Sequence, residues 1–274
     1  MRDDGTSSTD EAKGAVGSNS KISSVDRTLD IVELLAAETT LGVTEVSDEL
    51  GIAKSTVHDH LTTLRDRGYI HKREDGYQLG MGFLHIGETA RSRMSAYDLA
   101  REKVVTLAQR TNERSQFVVE ENGRGIYVHR EVGSDAVHTD SRIGGHLPLY
   151  ATAAGKALLS HYDDETVREM VGPTLEPITE NTITDVDELL AALEEVRERG
   201  YATNCSENTK GLRAIGAPVE LPNGELLGAI SVAGPTNRLK GERFTRELPD
   251  LVLGIVNELE LNIAYSGSGS RNTR

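Results

Sequence analysis

The 274-residue sequence has one cysteine, no tryptophan and only 4% aromatic residues. The single cysteine, Cys205, excludes a disulfide within the chain and any zinc cluster built from cysteines. The sequence also lacks a run of about 18 apolar residues that could span a bilayer, and its start lacks the apolar core of a signal peptide. We therefore expect a cytoplasmic, soluble protein with no membrane partner.

Positive charge is scarce as well, because 30 lysines and arginines face 44 aspartates and glutamates, for a net charge of −14. This balance is unusual for a protein that binds nucleic acid. Arginine outnumbers lysine by 22 to 8. A lysine-poor, acidic surface favours a halophilic protein, since high salt screens self-repulsion within a few ångströms. An ordinary acidic cytosolic protein is the alternative interpretation.

The cations that are present concentrate in one segment. Residues 53–73 hold five cations and two anions, a net charge of +3. By contrast, residues 21–96 as a whole carry −3, and residues 97–264 carry −11. The positive potential is therefore local, and the excess acid lies elsewhere in the chain.

This basic segment lies within a pattern that is typical of a winged helix-turn-helix. Gly51 ends a short helix, because glycine accepts the positive φ of an abrupt stop. A second helix is predicted over residues 53–67, with Val57, Leu61 and Leu64 on its buried face. After Gly68, two short strands flank Asp75-Gly76, which predicts a two-residue hairpin turn.

The exposed face of the second helix carries short hydrogen-bonding groups, and the hairpin carries two cations. Such a helix can reach base edges, while the cations hold phosphates. A merely solvated helix face is the competing interpretation, but the basic hairpin favours double-stranded DNA as the partner. The predicted DNA-binding residues are Lys54, Ser55, Thr56, His58, Asp59, Thr62, Lys72 and Arg73.

At these residues the sequence resembles the IclR family of transcriptional regulators. The resemblance is carried by residues 51–58 (GIAKSTVH), Leu64 and residues 67–69 (RGY), and it extends over about residues 22–264. The chain departs from the family at Asp59 and His60, where relatives typically have a basic and an apolar residue. Because an acidic side chain repels phosphates but can accept from cytosine, the operator of a relative is not transferable.

The fold class that we predict is mixed: an α-rich winged helix-turn-helix followed by an α+β domain with an antiparallel sheet. Strand patterns around Asn122-Gly123 predict a hairpin, with helices before and after it. The resemblance implies a GAF-like effector-binding domain. The predicted segments are a disordered tail (1–20), the DNA-binding domain (21–80), a linker helix (81–96), the effector-binding domain (97–264) and a second disordered tail (265–274).

The first helix and the linker helix each have an apolar face. The first, from Ser24 to Ala37, is predicted to have Ser24 as its cap and a buried face that includes Val25, Leu29, Val32 and Ala36. The linker helix has an apolar stripe of Phe83, Leu84, Ile86 and Ala90. Since such a stripe needs a cover, and the family uses this segment for dimerisation, we expect a homodimer or homotetramer.

The resemblance also implies an effector site in the second domain. The matching positions are Leu147, Ala153, Ala154, Asn204, Leu212, Ala214, Ser231 and Ala233. Small residues at 153–155 would leave the first amides of a helix open to an anion. We therefore expect a small carboxylate effector, either a sugar acid or a keto acid of carbon catabolism. The alternative is that these small residues only permit close packing of helix and sheet.

Catalytic and cofactor sites are not expected. Gly155-Lys156-Ala157 lacks the remaining residues of a phosphate loop, and no histidine can be paired with Cys205 as a nucleophile. His129, His138 and His146 are too dispersed to predict a metal site. A ligand-gated transcription regulator is thus favoured over an enzyme or signalling module in which the winged helix is only a scaffold.

Overall fold

The structure is a computed structural model that describes residues 22–136 and 141–269. The chain divides into two compact units, the first ending at Ile86 and the second beginning at Gly87. The division falls inside the segment predicted as the linker. Every helix in the described residues is too short or too polar to cross a bilayer. The predicted tail at residues 1–20 lies outside the described residues.

The first unit consists of three helices and a two-stranded antiparallel hairpin, as predicted for a winged helix-turn-helix. Its elements are α1 (Ser23–Ala37), α2 (Val43–Leu50), α3 (Lys54–Asp66), β1 (Ile70–Lys72) and β2 (Tyr77–Leu79). The predicted apolar face of α3 forms part of the core, since Val57, Leu61 and Leu64 are buried with Ile31 of α1. This packing fixes which face of α3 remains exposed.

The face of α1 was predicted correctly only at Val32, which is partly buried against the core of this unit. Val25 and Leu29 are 51% and 53% exposed, whereas Ile31 and Leu35 are buried. Ser24 is not the cap either, because the helix begins at Ser23 and no side chain caps it. Periodicity allowed two neighbouring apolar stripes on this helix, and contact with the other elements of the unit selects the second.

The hairpin turn also differs from the prediction. Lys72 pairs with Tyr77, and the Arg73 amide donates to the Gly76 carbonyl, so Glu74 and Asp75 form the tip instead of Asp75-Gly76. Gly76 is required for another reason: a Cβ at this position would lie 2.6 Å from the backbone of Leu41. That contact accompanies a bridge between Leu41 and Tyr77, which joins the hairpin to the preceding loop.

A short helix, α4 (Gly82–Arg91), follows the hairpin and spans the division between the units. It ends at Arg91, five residues before the end of the segment predicted as the linker helix, residues 81–96. None of its residues is buried, and Leu84 and Ile86 are 65% and 50% exposed. Phe83 is partly covered by Tyr69, at 5.0 Å between ring centroids. The predicted apolar stripe therefore remains open on the single chain.

The second unit is built on a six-stranded antiparallel sheet in the order β5-β4-β3-β8-β7-β6. The strands are β3 (Arg114–Glu121), β4 (Arg124–Val132), β5 (His146–Leu147), β6 (Ala202–Cys205), β7 (Leu212–Glu220) and β8 (Leu226–Pro235). Asn122 and Gly123 both have positive φ, which confirms the predicted hairpin between β3 and β4. The short strands β5 and β6 were not predicted, because two to four residues carry too little alternation.

Helices cover both faces of this sheet, which confirms the predicted α+β class. The helices are α5 (Ser95–Thr111), α6 (Ala153–Leu159), α7 (Asp164–Val171), α8 (Val186–Arg199) and α9 (Leu248–Gly269), the last preceded by a π-helical turn at Arg243–Glu247. Helices α5 and α9 pack with one face of the sheet, and α6, α7 and α8 pack with the other. The face toward α6 is the one that carries the cavity described below.

The end of the chain is more helical than predicted. Helix α9 continues to Gly269, past the predicted end at Ala264 and into the segment predicted as a disordered tail. The Ser266 hydroxyl donates to the Asn262 carbonyl at 2.7 Å, which adds a bond to the last turns. Residues 270–274 of that predicted tail lie outside the described residues.

Candidate DNA-binding surface and effector cavity

The turn between α2 and α3 is fixed by a positive φ and two local hydrogen bonds. Gly51 has φ +64°, the left-handed conformation that the sequence predicted for this glycine. The Ile52 amide donates to the Ser47 carbonyl at 3.2 Å, and the Ser47 hydroxyl donates back to the Ile52 carbonyl at 2.6 Å. Because both bonds close the same turn, the start of α3 is held rigidly against α2.

The predicted DNA-binding residues of α3 are not equally accessible. Lys54, Ser55, His58 and Asp59 are exposed, and Thr56 is half-buried. The Thr62 hydroxyl, however, is buried without a hydrogen-bond partner in the described part of the chain. Thr62 therefore does not present its hydroxyl to a ligand on this face, contrary to the prediction.

Charges on this surface have mixed signs. Asp59 is 85% exposed at its side chain and lies 3.8 Å from His58 Nδ1. On the hairpin, Lys72 and Arg73 are exposed, and Lys72 Nζ lies 5.9 Å from the centre of the Tyr77 ring. The ring holds the ammonium group near the hairpin, where a phosphate could meet it. Both cations are thus exposed on the hairpin, and their contact with DNA stays a prediction.

His60, the other departure from the family pattern, has a structural role. Its Nδ1 lies 2.8 Å from the Thr28 hydroxyl, so the ring joins α3 to α1. Together with Thr56, Asp59 and Thr63, these two side chains line a shallow cleft between the helices. The hydrogen bond between His60 and Thr28 thus stands where an apolar side chain is typical of the family.

A cavity lies in the second unit between the sheet and the start of α6. Gly216 allows the start of α6 to lie close to β7, because a Cβ at this position would be 2.8 Å from the backbone of Ala153. The space not filled by atoms, open mouth included, is about 400 Å³. The lining residues are Arg114, Gln116, Tyr127, Thr152, Ala153, Ala154, Asn204, Asn208, Thr209, Leu212, Arg213, Ala214, Ser231 and Ala233.

Seven of the eight predicted effector residues line this one cavity, and the exception is Leu147. The Leu147 side chain lies against Gly125, where an added Cβ would be 2.5 Å from it, and belongs to the core under α6. Asn204 lines the cavity, but both ends of its amide are engaged, with the Ala151 carbonyl and the Glu207 amide. Asn204 is therefore a structural residue in this state, and the binding role of the seven stays a prediction.

The start of α6 offers less to an anion than expected. The helix has only seven residues, and the Thr152 hydroxyl accepts from the Gly155 amide at 3.0 Å. A Cβ at Gly155 would lie 2.2 Å from the Leu149 backbone, so this glycine serves close packing. The alternative interpretation of the small residues thus holds at Gly155, and an anion needs another source of positive charge.

Arg114 of β3 brings positive charge to the cavity wall. Neither this residue nor its neighbour Gln116 was predicted to line the site. Arg114 and Gln116 line the cavity and are 8% and 5% exposed. Burial lowers the pKa of Arg114, with Arg130 adding to the effect, while Tyr127 opposes it. Burial likewise raises the pKa of the Tyr127 hydroxyl. The available signal was the spacing of Arg114 and Gln116 by two residues, which places both on one face of a strand.

Beside the cavity, Lys156 and Glu207 form a buried ion pair. Lys156 Nζ donates to Glu207 Oε2 at 2.6 Å, and the two side chains are 6% and 9% exposed. The Cys205 amide donates to the other carboxylate oxygen at 3.1 Å. The pair fastens α6 to the segment after β6, and so it fixes the position of Asn204 at the cavity wall.

The remaining candidates are the histidines and the cysteine that the sequence analysis considered. Within the described ranges, no cluster of three or more histidine, cysteine, aspartate or glutamate side chains is placed to hold a metal. His129 is buried, and burial lowers its pKa; His146 is exposed. Cys205 is an exposed free thiol. His138 lies outside the described residues.

Two family descriptions match this chain and cover both units. The description "IclR helix-turn-helix domain" matches residues 24–74, and "Bacterial transcriptional regulator IclR C-terminal" matches residues 88–259. The chain belongs to the IclR family. The predicted resemblance is confirmed, and the protein is a transcription regulator rather than an enzyme.

Individual relatives agree with this assignment. "Probable HTH-type transcriptional regulator ArcR" of Halobacterium salinarum is 32% identical over 253 residues, which is 90% of this chain and 96% of that protein. The regulator KdgR of Escherichia coli is 32% identical over 226 residues, 81% of this chain and 86% of KdgR. The crystal structure of the Thermotoga maritima IclR protein has the same fold, with a TM-score of 0.75 at 24% identity, over 89% of this chain and 99% of that one.

Proposed function

We propose that this IclR-family regulator binds a specific DNA operator through α3 and the hairpin, and that a small carboxylate in the cavity gates this binding. The carboxylate is a sugar acid or a keto acid. The observation that supports a carboxylate as the effector is the charge of the cavity lining. Among its described lining residues there are two arginines and no carboxylate, in a chain whose net charge is −14.

Of these two arginines, Arg114 is the one that we propose for ligand binding. Arg213 donates from Nη1 to the Leu239 carbonyl at 3.1 Å, and its guanidinium lies 5.0 Å from the centre of the Phe244 ring. Phe244 belongs to the core on the other side of the sheet. The Arg213 charge is thus engaged away from the cavity. Arg114 is buried in the cavity wall, and a carboxylate that reaches it can compete for its planar guanidinium through two parallel hydrogen bonds.

The DNA half follows from the exposed surface of the first unit. Lys54, Lys72 and Arg73 are free to neutralise phosphates, and Ser55 and His58 are exposed to read base edges. Asp59 favours a cytosine on the strand that it meets, since a carboxylate accepts from the cytosine amino group. Few cations contact DNA in this arrangement, so base readout supplies a large share of the affinity at high salt.

Assembly is part of the proposal. The exposed stripe around Leu84 and Ile86 of α4 is covered by a second copy of the chain, giving a homodimer or homotetramer. A dimer presents two recognition helices to two half-sites about one helical turn of DNA apart. A two-fold symmetric operator is therefore expected.

The DNA half is tested by selecting an operator in vitro from random duplexes and measuring the affinity of variants for it. His58→Ala should lose about 1–3 kcal/mol on the selected site and little on random DNA. Arg73→Ala should weaken both and reduce the salt slope by about one. Lys240→Ala, which removes an exposed cation in the second unit, is the control and should change neither. Equal losses from His58→Ala on both DNAs would contradict the assignment.

The effector half is tested by calorimetry with acids and their neutral amides. An acid should bind, and its amide should lose about 10-fold to 100-fold in affinity, because it offers one acceptor instead of two charged ones. Amides that bind as well as the acids would show that the cavity does not select an anion.

A further inference from the structure

Tyr127 of β4 brings a phenol hydroxyl to the wall of the cavity. The residue is only 7% exposed, and its hydroxyl makes no hydrogen bond with any described residue. The oxygen is nevertheless not enclosed, in contrast to Oε1 of Gln116. The half-buried Tyr162, which packs against the same core, instead donates to Glu120 Oε2 at 3.2 Å. The Tyr127 hydroxyl can thus be reached from the cavity, and none of the described residues uses it.

The inner wall of the cavity is the part formed by the sheet and the start of α6, and its other uncharged polar side chains are engaged within the protein. The Thr152 hydroxyl donates to a backbone carbonyl at 3.0 Å and accepts from an amide of its own helix. The Asn204 amide is engaged at both ends. The Ser231 hydroxyl accepts from Gln116 Nε2 at 2.9 Å, and the residue is completely buried. Among the described residues of the inner wall, the Tyr127 hydroxyl is therefore the uncharged donor that a ligand can use.

Most of the remaining inner wall is apolar. It consists of small or branched side chains, at Ala153, Ala154, Leu212, Ala214 and Ala233. Asn208 and Thr209 also line the cavity, but they lie on the loop after β6, where Asn208 Nδ2 meets the Thr209 hydroxyl at 3.5 Å. A ligand hydroxyl that is buried against the alanines loses its hydrogen bonds to water without replacement. The inner wall therefore disfavours a ligand body that carries several hydroxyls.

The charge around Tyr127 suits an anion as its partner. Burial raises the pKa of the Tyr127 hydroxyl, while the charges of Arg114 and Arg130 oppose this shift. The hydroxyl therefore keeps its proton at neutral pH and acts as a donor, and the two guanidinium groups make its surroundings positive. An acceptor with negative charge is the partner that such a donor binds most strongly.

We propose that the Tyr127 hydroxyl donates a hydrogen bond to an oxygen of the bound acid, and that the body of this acid carries no hydroxyl groups. This inference rests on the proposed effector function and deepens it, because it selects keto acids over sugar acids. A carboxylate and a 2-oxo group offer only acceptors, which one donor on the inner wall can serve. A sugar acid would instead bury several hydroxyls against alanines.

Cavity water is the competing explanation for the unpartnered hydroxyl. A water molecule bound to Tyr127 would satisfy the phenol whether or not an acid is present. The acid would then bind elsewhere in the cavity, and removal of the hydroxyl would leave its affinity unchanged.

Calorimetry with matched probes tests the ligand class. The three-carbon set is pyruvate, D-glycerate and pyruvamide, and the six-carbon set is 2-oxohexanoate, D-gluconate and 2-oxohexanamide. In at least one set the oxo acid should bind about 10-fold to 100-fold more tightly than the hydroxylated acid, because the latter buries hydroxyls without partners. Hydroxylated acids that bind equally well or better in both sets would overturn the proposed ligand class, while a preference for acids over amides would still support the carboxylate effector.

The variant Tyr127→Phe tests the donor. It keeps the ring and removes only the hydroxyl, so the affinity for the tighter-binding oxo acid should fall about 10-fold, while the melting temperature without acid should stay near the wild-type value. Tyr162→Phe is the matched control: it should lower the melting temperature, because Glu120 Oε2 loses its donor, and it should leave the acid affinity unchanged. A Tyr127→Phe protein that binds the acid as tightly as the wild type would overturn the assignment, whatever its stability. Absence of binding by every probe, or equal binding of acids and amides, would overturn the effector function as well.

Discussion

The buried ion pair between Lys156 and Glu207 allows a prediction of known sign and size. Replacing Lys156 by Met leaves the Glu207 carboxylate buried, with only the Cys205 amide as a donor in the described residues. Methionine fills the volume of the lysine stem, so the change removes charge more than packing. We expect a loss of about 3–5 kcal/mol in the free energy of unfolding, because removal of one partner strands a buried charge.

The matched control is the exposed pair of Arg246 and Glu242, whose side chains are 73% and 67% exposed. Arg246→Met should cost about 0–1 kcal/mol, since solvent screens the charges and the long side chains lose entropy when they pair. Urea unfolding followed by far-UV circular dichroism measures both variants and allows the salt concentration to be varied. Raising KCl should leave the large cost of Lys156→Met nearly unchanged, because a buried pair is poorly screened.

A double variant completes this test. Lys156→Met with Glu207→Leu should recover most of the lost stability, since no charge is then left unpaired in the interior. Should Lys156→Met cost no more than Arg246→Met, the burial of the pair would be of no energetic consequence. The inferred support of Asn204 at the cavity wall would fail with it.

Four further predictions concern assembly, pH and the hairpin. Leu84→Asp with Ile86→Asp should yield a monomer with a folded second unit, and a dimer in light scattering would show that the stripe is not an interface. Lys103 lowers the pKa of Glu258 through a hydrogen bond, so Glu258→Gln should destabilise at pH 7, and this difference should vanish as the pH falls through the folded pKa. Burial raises the pKa of Glu260, so Glu260→Gln should stabilise at pH 7 and lose this advantage as acid titrates the wild-type carboxylate; equal signs for the two variants would refute these assignments. Gly76→Ala should lower the melting temperature of the first unit, because its Cβ would lie 2.6 Å from the Leu41 backbone; unchanged melting would show that the loop yields freely.

The sequence predicted local structure best where a backbone conformation, such as a positive φ, is open to only a few residue types. Gly51 and the Asn122-Gly123 turn have the predicted positive φ, because few other residues adopt it cheaply. The buried face of α3 was also predicted, since Val57, Leu61 and Leu64 offer a single apolar stripe. On α1, by contrast, two stripes compete, and only the tertiary contacts of Ile31 and Leu35 decide between them.

The cavity shows a second limit of the same kind. Resemblance to the family located seven lining positions, but it carried no information on Arg114 and Gln116, which are not among the matching positions. Their importance comes from register: β3 pairs with β8, and this places Gln116 opposite Ser231. Likewise, the Thr62 hydroxyl belongs to the polar side of α3 by spacing alone, yet the fold covers it. Strand pairing and burial depend on residues that are far apart in the chain, so a single sequence does not reveal them.

The central claim is that an acid held by Arg114 controls binding of DNA by the other unit. Its most direct test is fluorescence anisotropy of the selected operator, titrated with the protein in the presence and absence of the tightest probe from calorimetry. For the wild type, the acid should change the operator Kd by about 5-fold to 150-fold, with the same factor in the affinity for the acid when operator is added. Arg114→Met should bind the operator as the wild type does without acid and should show no response to it. An equal response in both proteins, or none in the wild type, would contradict the account.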